Sequence, residues 1–563
     1  MLTFLKGGDK KLHVCKSIML TFIIMNMLTF LFSSPEVVTP QETPELVTAQ
    51  EAPEGITAEK VPEDTLVITD NTLKLPLKSV IVLALKNNLQ IAFQSLEPGL
   101  IETNIMREES VYDPNFSTQV GKSRRVIQTA NILSGAGADS VWQQSWDMSM
   151  DIVKQFVTGT SAELKWVSSS ARTDFLFEGL VPEYRSELNL SLVQPLLKDL
   201  GIDIGKSMIK VANLNYEISQ QEFKKRVMDI LYQIENLYWN IFFQMKDLEA
   251  REKSLEAAQA LERDFRLRIE AGTLAPIEIY QAEATVAERK QDLIVARDLL
   301  KDTQDDLKSA LNFFQKSTYW DVELIPADEP RTERVEEDLM ENIKEAFAYR
   351  PDYNQAKMDI ESRNIMVKYT KNQTLPRVDL FGTVGTMGLG GRGNPDAADF
   401  IGANPGAARA FSTGWSDVWD NMGSTDYYNY TIGLKIEFPI GNRFAKSQYA
   451  KAKIEAARAA TYLKDVENII ITEVKEAVRQ VETDFEKIGA AQKSLRSSQE
   501  KLDAEEIKFD VGLSTTRNVL DFQDDLARAA SRYALALSQY EKSLSNLART
   551  KGVLLEDYNI TIE

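Results

Sequence analysis

Lys253-Ser254-Leu255, followed by Gln259, recurs as Lys493-Ser494-Leu495, followed by Gln499. The offset is 240 residues, and it also relates Lys206-Ser207 to Lys446-Ser447 and Gly272 to Gly512. No gap interrupts it across the heptad-like stretches or the glycines that break them. Self-similarity at a fixed period constrains architecture before any local reading does. A period this long exceeds any solenoid unit and indicates duplication of a half-molecule.

Working outward from the repeat, each half reads as one very long helix, from about Gly205 to Ile269 and from about Ala445 to Phe509. Some 65 residues at helical rise span roughly 100 Å. After the glycine comes a return helix. In the first half Val286, Leu293, Ala296, Leu300 and Leu307 form its apolar stripe; Leu526, Tyr533, Ala536, Tyr540 and Leu547 occupy the offset positions in the second. Three-, four- and seven-residue spacings of this kind specify a coiled-coil hairpin. The hairpins are expected over about 205–312 and 445–552.

Ahead of each hairpin lie short helices and then period-two segments. Val80–Leu85 and Ile343–Phe347 mark the opening helices, with breaks expected near Pro98-Gly99 and at Arg350-Pro351. Val378, Leu380, Gly382 and Val384 alternate with Asp379, Phe381 and Thr383; Tyr430, Ile432, Leu434, Ile436 and Phe438 alternate likewise. Leu188, Leu190 and Leu192 form a third such segment, and a fourth lies near Phe116 to Val120. Segments of about ten residues suit tilted membrane strands, although half-buried soluble strands alternate too. One strand pair is expected at about 114–195 and another at about 376–439. Strand-like stretches within 141–172 have no counterpart in the second half and no assigned place. Residues 386–426 read as a long outer loop. Trp142, Trp146, Trp415 and Trp419 fit either an interfacial girdle or a cluster within loops.

Composition excludes several function classes. The net charge of −19 opposes nucleic-acid binding, which needs basic stripes. The only histidine and cysteine are His13 and Cys15, near the N-terminus. One cysteine allows no intrachain disulfide and the two residues no Cys/His metal site, and a Ser–His or Cys–His catalytic pair is not expected in the mature protein. No cofactor, metal or enzymatic activity is expected.

Lys10, Lys11 and Lys16 precede an apolar run from about Ile18 to Phe32, then Ser33-Ser34. This is the pattern of a secretory signal peptide over 1–33, with an uncleaved anchor as the alternative. Residues 34–70 are Pro/Glu/Thr-rich and read as a disordered linker. The first repeat is placed at 71–313, a connector at 314–334, the second repeat at 335–555 and a tail at 556–563.

The expected fold is therefore mainly α, with duplicated coiled-coil hairpins and about four transmembrane β-strands per protomer. Four strands cannot close a barrel, and open edges cannot face lipid. If these are membrane strands, the chain must oligomerise; a trimer would supply twelve strands and gather the helices into an α-barrel.

The chain resembles the TolC-like outer membrane efflux proteins over about residues 75–555. The resemblance rests on the duplicated plan, Gln194-Pro195-Leu196-Leu197 closing a strand, Arg350-Pro351-Asp352 in an opening helix, and Val511-Gly512-Leu513 followed by Asn518-Val519-Leu520-Asp521. It implies a homotrimeric outer-membrane channel with a periplasmic tunnel and contact with outer-membrane lipid. It further implies recruitment by a periplasmic adaptor (membrane fusion) protein and an inner-membrane pump of ABC or RND type. Drug efflux, metal-ion efflux and protein secretion all remain open.

The same resemblance makes Gly272, Thr273, Leu274, Gly512, Leu513 and Ser514 adaptor-docking tips. It places a channel gate at Asp521, Asn518, Glu278 and Arg517. The family pattern has an acid where this chain has Asn518, and an arginine where it has Ser514; Arg517 lies nearby as a substitute. An ordinary solvated carboxylate is the competing reading of Asp521. A soluble periplasmic coiled-coil scaffold, or an adaptor protein without a membrane barrel, is the competing reading of the whole chain.

Overall fold

A computed structural model describes residues 56–57, 68, 71–129, 139–272, 275–400, 412–424 and 426–562. The signal peptide, most of the linker, and the tip residues Thr273 and Leu274 lie outside the described residues.

In chain order the main elements are β1 (Ile56–Thr57), β2 (Thr72–Leu75), α1 (Leu77–Asn87), α2 (Leu89–Glu109), β3 (Asn115–Gln128), β4 (Ser140–Gln155), β5 (Ser161–Thr173) and β6 (Leu180–Pro195). The first hairpin follows as α3 (Ser207–Glu270) and α4 (Ile277–Ala310), then β7 (Glu323–Pro326). The second half consists of α5 (Leu339–Tyr349), α6 (Pro351–Gln373), β8 (Arg377–Gly393), α7 (Trp415–Ser424), β9 (Tyr428–Glu437), α8 (Arg443–Asp510), α9 (Thr516–Lys551) and β10 (Thr561–Ile562).

Two compact units are present, and each draws on both halves of the chain. Of the described residues, one contains those within Thr103–Asn213 and Ser362–Ala456, and the other those within Leu46–Glu102, Leu214–Glu361 and Ala457–Glu563.

The first unit holds a six-stranded antiparallel sheet in the order β3-β4-β5-β6-β8-β9. The first half therefore contributes four strands rather than the expected pair, because the unplaced stretch 141–172 forms β4 and β5. Paired residues in an antiparallel ladder share a face. Register therefore sorts the side chains into two sets. One face carries Met148, Met150, Ile152, Leu164, Trp166, Leu188, Leu190, Leu192, Leu380, Val384, Ile432, Leu434 and Ile436. The other carries Gln119, Asp147, Ser149, Asp151, Glu163, Lys165, Glu187, Asn189, Ser191, Thr383, Thr431 and Lys435.

On the apolar face, one small-residue patch seats the amphipathic helix α7. A Cβ added at Gly388 would lie 2.0 Å from the Val418 carbonyl oxygen, so only glycine permits this approach. Ser168 and Ser186 are buried nearby, and Val418 is fully buried. Trp166 stacks on Trp419 at 5.5 Å and Tyr184 meets Trp415 edge-on at 5.4 Å. The Thr386 hydroxyl donates to the Met422 carbonyl at 2.8 Å. The stretch read as a long loop therefore begins as strand, and its later part is a helix fastened to the sheet.

The second unit contains the main core. Tyr238 on α3 is buried with Leu73, Leu75, Val80, Leu231 and Leu307. Its hydroxyl donates to Asp328 at 2.6 Å and accepts from the Ala327 and Asp328 amides, each at 3.1 Å. β2 pairs in parallel with β7, so the connector closes back onto the first opening segment. β1, within the stretch read as linker, pairs with β10 in the tail.

The break in the first opening helix is at Asn88, not near Pro98-Gly99. The Asn88 side chain accepts from the Gln90 and Ile91 amides at 2.9 and 3.0 Å, starting a new helix, and Pro98 lies inside α2. The second break is at Arg350, with Pro351 opening α6, where its missing N–H costs nothing. Arg350 grips Asp352 through two nitrogens at 3.0 and 2.6 Å, Glu473 at 2.6 Å and the Thr550 carbonyl at 3.2 Å. That network fastens the helix break to α8 and α9.

Candidate functional site: the hairpin ends

Both hairpins turn at glycines with left-handed backbone, φ 74° at Gly272 and 77° at Gly512. At the second turn the Leu513 amide donates to the Lys508 carbonyl at 2.8 Å and the Gly512 amide to the Phe509 carbonyl at 3.0 Å. This is a Schellman closure, in which glycine takes the position where a Cβ would be strained. Thr515 then caps α9, its hydroxyl accepting from the Asn518 amide. At the first turn the Gly272 amide donates to the Ile269 carbonyl at 2.9 Å.

The turns leave large apolar side chains in solvent. Leu513 is 79% exposed, and Val511, Ile507, Ile277, Tyr280 and Leu267 are also exposed. Behind them Phe265, fully buried, lies 6.2 Å from Phe509, and the Arg268 guanidinium covers that ring at 5.1 Å. The two hairpins are thus packed together close to their turns.

The expected gate residues do not form one cluster: Asn518 reaches Glu505, Arg517 pairs with Asp521, and Glu278 lies on the other hairpin. Ser514 donates to Glu505 at 2.5 Å, and the Asn518 amide nitrogen reaches the same oxygen at 3.3 Å. Lys508 pairs with Glu505 at 3.0 Å. The Ser514 hydroxyl, with Lys508, holds the Glu505 carboxyl below its ordinary range. Asn518 and Ser514 therefore serve a local Glu505 cluster. Arg517 pairs with Asp521 on its own helix at 3.7 Å, both side chains being largely exposed. Glu278 sits in the first turn of α4, where the helix dipole favours a carboxylate. Among the described residues the ion pair of Arg517 is with Asp521, not with Glu278.

Arg289 joins the hairpins instead. Its side chain is buried and donates to the Ser254 carbonyl at 2.8 Å, the Leu520 carbonyl at 2.9 Å and the Gln523 side chain at 3.4 Å. Burial pulls its pKa down, while Asp524, Glu288 and Asp521 oppose that. Even so a guanidinium stays protonated in proteins. Arg289 occupies the heptad seam Ala282–Arg289–Ala296–Thr303, each of whose members is buried. An arginine at an apolar seam position was the signal available in the sequence. Beside it lies a cleft of about 500 Å³ lined by Arg251, Arg289, Arg517, Asp521, Asp524 and Arg528.

Residues 342–553 match the outer membrane efflux protein family. Outer membrane protein TolC of Escherichia coli K12 is 22% identical over 350 residues, covering 60% of this chain and 66% of that protein. TolC of Salmonella enteritidis is 20% identical over 373 residues, covering 65% of this chain and 69% of that protein. The chain thus aligns with about two thirds of the length of these curated relatives. A membrane protein from Pseudomonas aeruginosa superposes with TM-score 0.61 at 15% identity, covering 89% of this chain and 97% of that one. The CmeC outer membrane channel of Campylobacter jejuni gives 0.58 at 16% identity, covering 92% and 94%.

Duplicated hairpins carried with an antiparallel strand set define the fold of the TolC-like outer-membrane channels. Residues 342–553 of this chain resemble the outer membrane efflux protein family, and the chain shares the fold of the solved outer membrane channels. That family consists of channels rather than enzymes.

Proposed function

We propose that the protein is the exit duct of a tripartite efflux or type I secretion system. It works as a homotrimer and passes substrates from a periplasmic adaptor and an ABC- or RND-type pump to the exterior. The two-faced sheet carries this reading: one side suits lipid and the other water, and its edge strands β3 and β9 have no further partner among the described residues. An edge cannot stay unpaired in hydrocarbon.

The hairpin ends are assigned adaptor docking, supported by the exposed Leu513, Val511, Ile277 and Tyr280 around Gly512 and Gly272. Asp521 is assigned the gate. In a three-fold assembly it recurs as a ring of carboxylates at the entrance, each partly offset by Arg517. Asn518 and Glu278 shape the same end without direct charge pairing to Asp521.

Membrane fractionation and planar-bilayer recording test this reading. A heat-modifiable trimer in the outer-membrane fraction that conducts ions is expected. A soluble monomer in the periplasm would overturn it.

A further inference from the structure

The sheet holds an additional hairpin, β4–β5, and three observations bear on its role. First, it is inserted within the sheet, not appended to it: β3 pairs only with β4, and β5 pairs along its length with β6. Removing it from the wall would break both ladders. Second, it keeps the two-faced pattern in register. Met150 and Leu164 lie on the apolar face with Leu190, while Ser149 and Lys165 lie on the polar face with Asn189. A flap lying on the surface of a barrel would have no reason to match its neighbours residue by residue. Third, its turn is built into the exit of β6. The Gly201 amide donates to the Thr158 carbonyl at 3.2 Å, and Thr160 donates to Gln194 at 2.5 Å. A Cβ at Gly159 would lie 2.2 Å from the Asp199 carbonyl oxygen, and one at Gly205 2.0 Å from that of Val157.

The outer edges are β3 and β9. With six alternating strands these edges run in opposite directions, so β9 of one copy would meet β3 of a next copy antiparallel. An odd number of strands would forbid this. Phe116 and Val120 of β3 lie on the same face as Ile432 and Leu434 of β9, so edge-to-edge joining would bring apolar positions together across the seam. Both features suit a second copy of this chain as the occupant of each edge.

We propose that the β4–β5 hairpin forms part of the membrane wall, so that three copies close a barrel of eighteen strands through β9–β3 contacts. The proposal rests on the trimeric-channel reading. It replaces the twelve strands expected from four per copy. Barrel diameter grows about linearly with strand number, and barrels of about 16–18 strands leave an aqueous channel. The pore through this wall is correspondingly wider, and Asp147, Asp151, Glu163 and Lys165 face it.

Single cysteines in a Cys15→Ser background test the wall. Ser149→Cys, Lys165→Cys, Met150→Cys and Leu164→Cys are placed in the full chain, reconstituted in lipid and spin-labelled. The expected result is alternation: positions 149 and 165 accessible to a water-soluble relaxer, and 150 and 164 to oxygen dissolved in lipid. A second arm places Val120→Cys on β3 and scans β9 from position 430 to 436 for an intermolecular disulfide. Cross-linked trimers at one register are expected. Trimers without alternation in β4 and β5, or without any β3–β9 cross-link, would overturn the eighteen-stranded wall while leaving the channel reading intact. Absence of trimers in the parent protein would overturn both.

Discussion

The guanidinium of Arg289 donates to the carbonyl of Leu520 at 2.9 Å, one residue before Asp521. A helix of the first hairpin thus holds the helix of the second at the acidic position assigned to the gate. Carbonyls inside a helix are already engaged, so a buried cation reaching one adds a restraint that an apolar seam residue could not.

Replacing Arg289 should loosen that end. Arg289→Met keeps most of the side-chain length but removes the donors to Ser254, Leu520 and Gln523. A loss of about 1–3 kcal/mol of stability is expected, with a larger single-channel conductance and more frequent open events. Arg289→Lys should fall between the two, because one ammonium cannot reproduce the fork. Calorimetry and bilayer recording check this; unchanged conductance and unchanged unfolding would refute the latch.

Asp521→Asn should weaken cation preference without unfolding the protein. The carboxylate is exposed and, among the described residues, its ion pair is with Arg517, so its removal costs little folding energy. Permeability ratios in asymmetric salt should move toward unity. If the ratio stays the same, Asp521 is an ordinary solvated carboxylate.

Gly512 offers a backbone test. With φ at 77° and nothing within 4 Å of an added Cβ, substitution meets conformational strain but no clash. Gly512→Ala should therefore destabilise by about 1–2 kcal/mol, whereas Gly512→Asn should cost less, since asparagine visits this region more readily. Equal losses in both variants, measured by thermal unfolding, would point to a cause other than backbone strain.

Glu235 predicts a pH dependence. Burial pushes its carboxyl up to about 7; Asp557 and Glu541 add to the rise, and the Ser545 and Tyr558 hydroxyls only partly oppose it. A carboxyl whose folded pKa is raised favours folding most when protonated. Its contribution is full below the unfolded value of about 4.3 and declines as pH rises toward about 7, a loss of at most about 4 kcal/mol. Glu235→Gln should flatten this slope and leave the protein more stable than the parent at pH 8. Chemical unfolding at pH 5 and pH 8 compares the two; an unchanged slope would exclude Glu235 as its source.

The long hairpins were legible because their signal is local and repeated. Heptads fix which face of a helix is buried, and the 240-residue offset fixes that the device occurs twice. The turns at Gly272 and Gly512 were legible for a similar reason, since a stripe that stops at glycine and resumes in the next helix is a helix reversal. The alternation in β8, β9 and β6 was also visible. β4 and β5 were visible only as strand-like stretches, because alternation does not say which neighbour a strand pairs with.

The sequence by itself determined the duplicated helical plan, the strand periodicity and the family resemblance, because each depends on spacing along one chain. Tertiary structure alone decided the strand order, the seating of α7 on Gly388, and the separation of Asn518 from Asp521. It also decided that Arg289, rather than Arg517, bridges the hairpins. Those facts depend on which residues meet across more than two hundred positions of chain, as Arg289 meets Leu520. Local periodicity carries no information about such a meeting until burial and hydrogen-bond geometry select it.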